Sequence, residues 1–287
     1  MEHYLLLALA AVAVSMQDIF KKKYNNRSGG DVFLFGGMIA LFATLFFIAV
    51  NRDWSFRPIL LLPSLAFAVS YASSTVFTVL AIRYGSLAKT SLIVSCSLLI
   101  PCFYGILFLG EWKDISLWFI IGLVLLIAAL FLINYQKGGE KITFKWVVFV
   151  LLAFVGNGMC STVQKAEQIR FGDDGRNVFM IAALAMVAVI LFAVGFSLKS
   201  ERKNVRSIVK KGVLFALVCG VMNGLTNFLV IYLNTQEFPA SIMFPVISGG
   251  SIVFVFVYSI LFQKERFRVR QYVGFFLGVL SVVLLNL

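Results

Sequence analysis

Charge is scarce in this 287-residue chain: Asp, Glu, Lys and Arg make up 13% of it, against about 25% in soluble domains. Apolar and aromatic residues account for 61%, and the mean hydropathy is +0.96. A water-soluble fold must cover its surface with polar groups, and too few exist here. Acid is scarcer still, with 13 Asp plus Glu against 25 Lys plus Arg, a net charge of +12. In a soluble protein that balance would suggest nucleic acid as partner. Here the basic residues fill short gaps between apolar runs, so the partner they point to is the headgroup layer of a lipid bilayer, and no nucleic acid is expected.

Catalytic equipment is also missing. The sole histidine is His3, no pair of intramembrane carboxylates stands out, and no G-x-x-x-x-G-K-[ST] phosphate loop exists. These absences exclude acid–base enzymology and an ATP-driven pump within this chain. A Ser–Lys nucleophile from the span-three hydroxyls and Lys89 has nothing to position it. Cys96, Cys102, Cys160 and Cys219 lie inside apolar runs without paired spacing and read as small apolar fillers. Neither a metal nor another cofactor is implied.

What the chain has is length of apolar run. Runs occupy about 4–17, 32–51, 58–82, 90–110, 115–136, 146–164, 177–198, 212–236, 238–263 and 271–287. Most reach the ~18–20 residues a helix needs to cross ~30 Å of hydrocarbon. Barrel strands would alternate over ~10 residues instead. The fold class expected is therefore all-α integral membrane, with ten transmembrane helices. The first run is no secretory signal, because Glu2 and His3 make no basic n-region and Lys21, Lys22 and Lys23 follow directly. Trp54, Trp112, Trp118 and Trp146 fall at or near span ends, where indole prefers the headgroup level.

The connections after spans one, three, five, seven and nine hold 19 Lys and Arg; the others hold six, namely Arg52, Arg57, Lys113, Lys165, Arg170 and Arg176. The positive-inside rule then predicts a multi-pass cell-membrane protein with both termini outside. No long linker interrupts the spans, and the longest polar connection, around 199–211, is basic. At an offset of 152, Ala88 meets Ala240, Val94 meets Val246, Gly122 meets Gly274 and Asn134 meets Asn286; at 146, Val32 and Phe33 meet Val178 and Phe179. The single membrane domain divides into five-helix repeats at 1–136 and 137–287. An odd number of spans per repeat inverts the second relative to the first, an arrangement that places substrate near the midplane.

Gly110-Glu111 closes span four, Lys264-Glu265 closes span nine, and Gly122 and Gly274 follow early in the next helices. On these residues the chain resembles the ten-helix, EamA-like members of the drug/metabolite transporter superfamily. The stretch 239–287 is also similar to the last two helices of the small multidrug resistance proteins. The resemblance spans the whole chain, more specifically in its second half, and implies a 5 + 5 inverted-repeat bundle moving small organic solutes by alternating access. Small multidrug resistance proteins carry a membrane-embedded Glu eight residues before a Lys. Eight residues before Lys165 stands Asn157, and eight before Lys21 stands Ala13, so neither half keeps that carboxylate.

Polar side chains deep in a span are costly unless they face protein or a water-filled cavity, so they are the candidate site. Asn157 lies between Gly156 and Gly158; Asn223 and Asn227 lie one turn apart on one helix face. Carboxamides both donate and accept, which suits a neutral or zwitterionic ligand, although amides also tie helices together. Span three adds Tyr71, opposite Asn223 at the repeat offset, with Ser74 among its hydroxyls. Ser248 lies in Pro245–Ser251, a segment that can break a helix and free backbone for substrate, or merely kink it. Lys89 either holds a substrate anion or snorkels to the interface. Asp18, ahead of Lys21 and Lys22, suggests a surface ion pair, and Glu111 and Glu265 suggest structural roles. A channel would need a continuous polar stripe, which is lacking. The expected function is secondary transport of a small polar organic metabolite, with amino-acid-like solutes ahead. The alternative is a flippase or exporter of amphiphilic drugs or lipid-linked sugars, favoured if the 30 Phe line the cavity. Two fused halves suit a working monomer, or a homodimer.

Overall fold

A computed structural model describes residues 2–28, 32–52, 54–55, 57–84, 90, 93–94, 96–114, 116–134, 143–171, 175–263 and 269–284. Among these, every long element is a helix: α1 (Glu2–Ser28), α2 (Phe33–Val50), α3 (Leu61–Tyr84), α4 (Leu99–Phe108), α5 (Leu117–Asn134), α6 (Phe144–Phe171), α7 (Arg176–Ser197), α8 (Lys199–Thr235), α9 (Ala240–Gln263) and α10 (Val269–Leu284). Helix is what an apolar run must form in lipid, because only there can each backbone amide find a partner within its own segment. Six of them, α1, α2, α3, α6, α7 and α8, are long and apolar enough to cross a membrane; the rest contain shorter apolar stretches such as Leu99–Phe108 and Ala240–Ser251. Large apolar side chains cover the outside, among them Leu62, Leu107, Phe108 and Phe276. In water such a coat would aggregate, and in lipid it is the expected solvent-facing surface.

Three helices outrun their apolar stretches. The basic segment at 199–211, read from sequence as a connection, is helical and opens α8. Its residues are mostly good helix formers, so nothing in them stops the helix once charged positions leave the hydrocarbon. α1 likewise continues through its lysines to Ser28, and α6 continues beyond residue 164 to Phe171. The last extension corrects the charge count: Lys165, tallied as a connection residue, is buried inside α6. Of the two readings of Pro245–Ser251, a break or a mere kink, the break is absent, since α9 runs through it as one helix. Pro245 lacks the N–H that would bond the Ser241 carbonyl, and the Cys102 thiol donates to that carbonyl instead (3.6 Å). Trp146 departs from the interfacial expectation. It is buried, with Nε1 donating to Thr90 Oγ1 at 2.9 Å, whereas Trp54, Trp112 and Trp118 are exposed.

Helices from the two ends of the chain interleave. α1 packs on α8 and α9, α2 on α7 and α8, α3 on α6 and α7, α4 on α6 and α9, and α5 on α10. Alanines at these seams, including Ala40, Ala43, Ala68, Ala72 and Ala183, are fully or almost fully buried and let backbones approach. Two carboxylates pin helix starts. Glu201 of α8 accepts from the amides of Val32 and Phe33 (3.0 Å each) and Leu34 (2.7 Å) at the start of α2. Glu111, after α4, accepts from Ala240 (3.0 Å) and Ser241 (2.9 Å) at the start of α9. Both satisfy otherwise orphaned amides at a positive helix end, which is the structural role expected for Glu111. Glu265 lies outside the described residues.

Candidate functional site

Four helices bring polar side chains together inside the bundle. Asn223 of α8 donates from Nδ2 to Gln17 Oε1 of α1 (3.2 Å) and to the Tyr71 hydroxyl of α3 (3.4 Å). Gln17 in turn donates from Nε2 to Thr226 Oγ1 (3.3 Å). One turn along α8, Asn227 Nδ2 donates to the Asn223 carbonyl (2.9 Å) and Oδ1 (3.2 Å), and accepts on Oδ1 from Gln164 Nε2 of α6 (3.4 Å). The spacing of four residues puts both asparagines on one face of α8, and that face meets α1, α3 and α6. A connected set of amides and hydroxyls results, in which each member can donate or accept toward a ligand.

Aromatic rings flank this set. Phe67 stacks with Tyr71 at 5.9 Å between centroids, and Phe46 meets Phe228 edge-on at 6.5 Å. Asp18, directly after Gln17, and Lys21, one turn on, form an ion pair at 3.7 Å. Both side chains stay accessible, as expected of the ion pair read from the sequence, and Lys21 also lies within electrostatic range of Tyr71 and Cys219, beside the polar set.

The sequence candidates divide. Tyr71, Asn223 and Asn227 meet. Asn157 stands apart, its Nδ2 donating to Ser97 Oγ at 2.7 Å. The glycines beside it serve packing: a Cβ on Gly156 would lie 2.9 Å from the Ser70 carbonyl of α3, and one on Gly158 would lie 2.7 Å from the Ser97 carbonyl. Ser74 is buried at the first of these crossings, its amide 3.0 Å from that Gly156 Cβ. Ser248 is buried on α9, and its carbonyl accepts from Ser251 Oγ (2.8 Å). Lys89 lies outside the described residues. Gln17, Gln164 and Thr226 were not singled out as ligand contacts by sequence. Gln17 and Gln164 close their apolar runs and look like span ends; only the pairing of helices turns them inward.

α6 also buries polar residues beyond residue 164. Lys165 Nζ donates to the Phe238 carbonyl (2.8 Å), within electrostatic range of Glu111 and Glu237. Glu167 accepts from Gln168, while Glu167 Oε1, Gln168 Oε1 and both side-chain polar atoms of Asn234 are buried without a hydrogen-bond partner among the described residues. Glu167 is thus a buried carboxylate that sequence reading had assigned to a connection.

Residues 169–287 match the model of the EamA-like transporter family. A solved crystal structure, described only as that of a protein, superposes with a TM-score of 0.77 at 13% identity, covering 100% of this chain and 99% of that one. At that identity the likeness concerns the fold, and it extends the shared architecture across all ten helices. No curated protein matches the sequence. Asn223 and Asn227 fall within the family-matched stretch; Gln17, Tyr71 and Gln164 lie before it. The chain is a multi-pass membrane protein whose residues 169–287 are similar to the EamA-like transporter family.

Proposed function

We propose that this protein is a secondary transporter that moves a small polar, amino-acid-like metabolite across the cell membrane by alternating access, with Tyr71, Asn223 and Asn227 at the substrate site. The observation that carries the reading is the hydrogen-bonded set built by α1, α3, α6 and α8 inside the bundle. Buried polar groups in a membrane bundle are costly, and a transport site is the use that repays placing six of them together. Gln17, Gln164 and Thr226 complete the lining. Asn157, Ser74 and Ser248 act at helix contacts around it.

Two five-helix repeats, 1–136 and 137–287, related by an in-plane pseudo-twofold axis, account for the packing. Exchanging α1–α5 with α6–α10 turns the α1–α8 contact into α6–α3, α2–α8 into α7–α3, and α1–α9 into α6–α4, all of which occur. Tyr71 and Asn223 are equivalent at the repeat offset and also touch, at 3.4 Å. Equivalent positions can meet only on the axis, so the axis passes through the polar set, where a midplane substrate would sit.

The test is uptake or exchange in proteoliposomes against amino acids, cationic drugs and lipid-linked sugars. Asn223→Ala and Asn227→Ala should each lower transport at least ~10-fold, the effect of leaving a buried partner unsatisfied at ~1–3 kcal/mol, with expression unchanged. Normal rates in both variants would remove this site. Transport of amphiphiles alone would replace the substrate class with the flippase or exporter reading.

A further inference from the structure

Asp18 and Lys21 combine two properties that rarely coincide. Their side chains keep 57% and 40% of their surface accessible, yet the pair stands among the bundle helices, with Lys21 within electrostatic range of Tyr71 on α3 and of the buried Cys219 on α8. Accessible surface within dense surroundings means a crevice. An ordinary surface ion pair would have solvent on one side and no neighbours there.

The crevice adjoins the polar set. Gln17 precedes Asp18 and lies one turn before Lys21; the Cys219 thiol donates to the Gln17 carbonyl (3.6 Å), and Lys21 lies within electrostatic range of both Cys219 and Tyr71. Tyr71 accepts from Asn223 and, among the described residues, gives its own proton to no acceptor. The ion pair is also stretched. At 3.7 Å it is longer than the ~2.7–2.9 Å of a formed charge-assisted hydrogen bond, so both groups retain capacity for a partner. An ammonium has three donors and a carboxylate about four acceptor sites, most of them unused among the described residues.

Granting the amino-acid-like solute proposed above, on which this inference rests, we propose that Lys21 and Asp18 are the charge-recognising part of the site. Lys21 takes the carboxylate of a zwitterionic solute and Asp18 takes its ammonium, while the Tyr71–Asn223–Asn227 amides and hydroxyl hold its polar remainder. An α-amino acid carries both charges on one carbon, close enough to span a cation and an anion 3.7 Å apart. Inserting the zwitterion replaces one stretched pair with two opposed pairs and leaves the net charge of the crevice unchanged. A solute with one charge would leave the opposite protein charge uncompensated, so the pair selects for zwitterions.

The experiment is thermal stabilisation of the purified full-length protein by each of the twenty amino acids. The strongest ligand is then compared with its amine (carboxylate removed) and its deaminated acid. Wild type should bind the zwitterion at least ~10-fold more tightly than either analogue. Lys21→Gln should reduce zwitterion affinity to that of the amine and leave amine binding unchanged. Asp18→Asn should reduce it to that of the acid and leave acid binding unchanged. A merely structural role would weaken all three ligands together. No stabilisation of wild type by any amino acid would overturn the parent reading. Stabilisation that persists equally in both variants would overturn this inference alone. Equal wild-type affinity for zwitterion and analogues does so without any variant, which covers the case of a variant that fails to fold.

Discussion

Lys21 on α1 and Lys165 on α6 both lie in the later half of the first helix of a proposed repeat, and the bundle treats them oppositely. Lys21 keeps 40% of its side chain accessible and faces Asp18 at 3.7 Å. Lys165 is 3% accessible, with its ammonium 2.8 Å from the Phe238 carbonyl and the carboxylates of Glu111 and Glu237 nearby. The difference comes from the neighbours. The α8–α9 connection folds over the end of α6 and supplies a carbonyl, and Glu237 reverses the chain there with a φ of 55°. One lysine is left accessible beside the polar set and the other is sealed inside the bundle.

The largest expected contrast is in chemical access. In a Cys96→Ala background, Lys21→Cys should react readily with a small polar maleimide in the unliganded protein and Lys165→Cys should resist; equal labelling would erase the distinction. Next comes stability. Lys165→Ala leaves the Phe238 carbonyl and two carboxylates without their cation and should cost about 2–3 kcal/mol. Lys21→Ala breaks only an accessible pair and should stay within ~1 kcal/mol. Melting curves in detergent decide between unequal and equal costs. The smallest effect belongs to Glu111→Gln, which keeps an acceptor for the α9 amides while removing a negative charge near Lys165. It should lower stability by about 1 kcal/mol, and by less when combined with Lys165→Ala. Strict additivity would mean that Glu111 acts on α9 alone.

Individual residues mark how far sequence reading reaches. Asn223 and Asn227 were legible as a pair because an i, i+4 spacing needs only a helix to share a face. Tyr71 was legible through the repeat offset. Gln17 was not, since it ends an apolar run and its inward direction depends on where α8 packs. Lys165 and Glu167 look like connection residues, and their burial depends on α6 continuing to Phe171 beneath the α8–α9 connection. Pro245 left a break or a kink open, and α9 continues through it, with Cys102 on another helix satisfying the freed carbonyl.

By itself the sequence determined the membrane class, the helical state and the approximate span positions. Those follow from local quantities: the hydropathy of a run, its length against the thickness of hydrocarbon, and the need of each backbone amide for a partner within its own segment. Only the tertiary structure decided which polar groups meet, which lysine is open, and which carboxylate caps a distant helix, as Glu201 does for Leu34, 167 residues away. These depend on which helix faces pack together, and in a chain apolar on nearly every face the hydrophobic pattern carries little record of that choice. Close packing of small residues and a few buried hydrogen bonds make it.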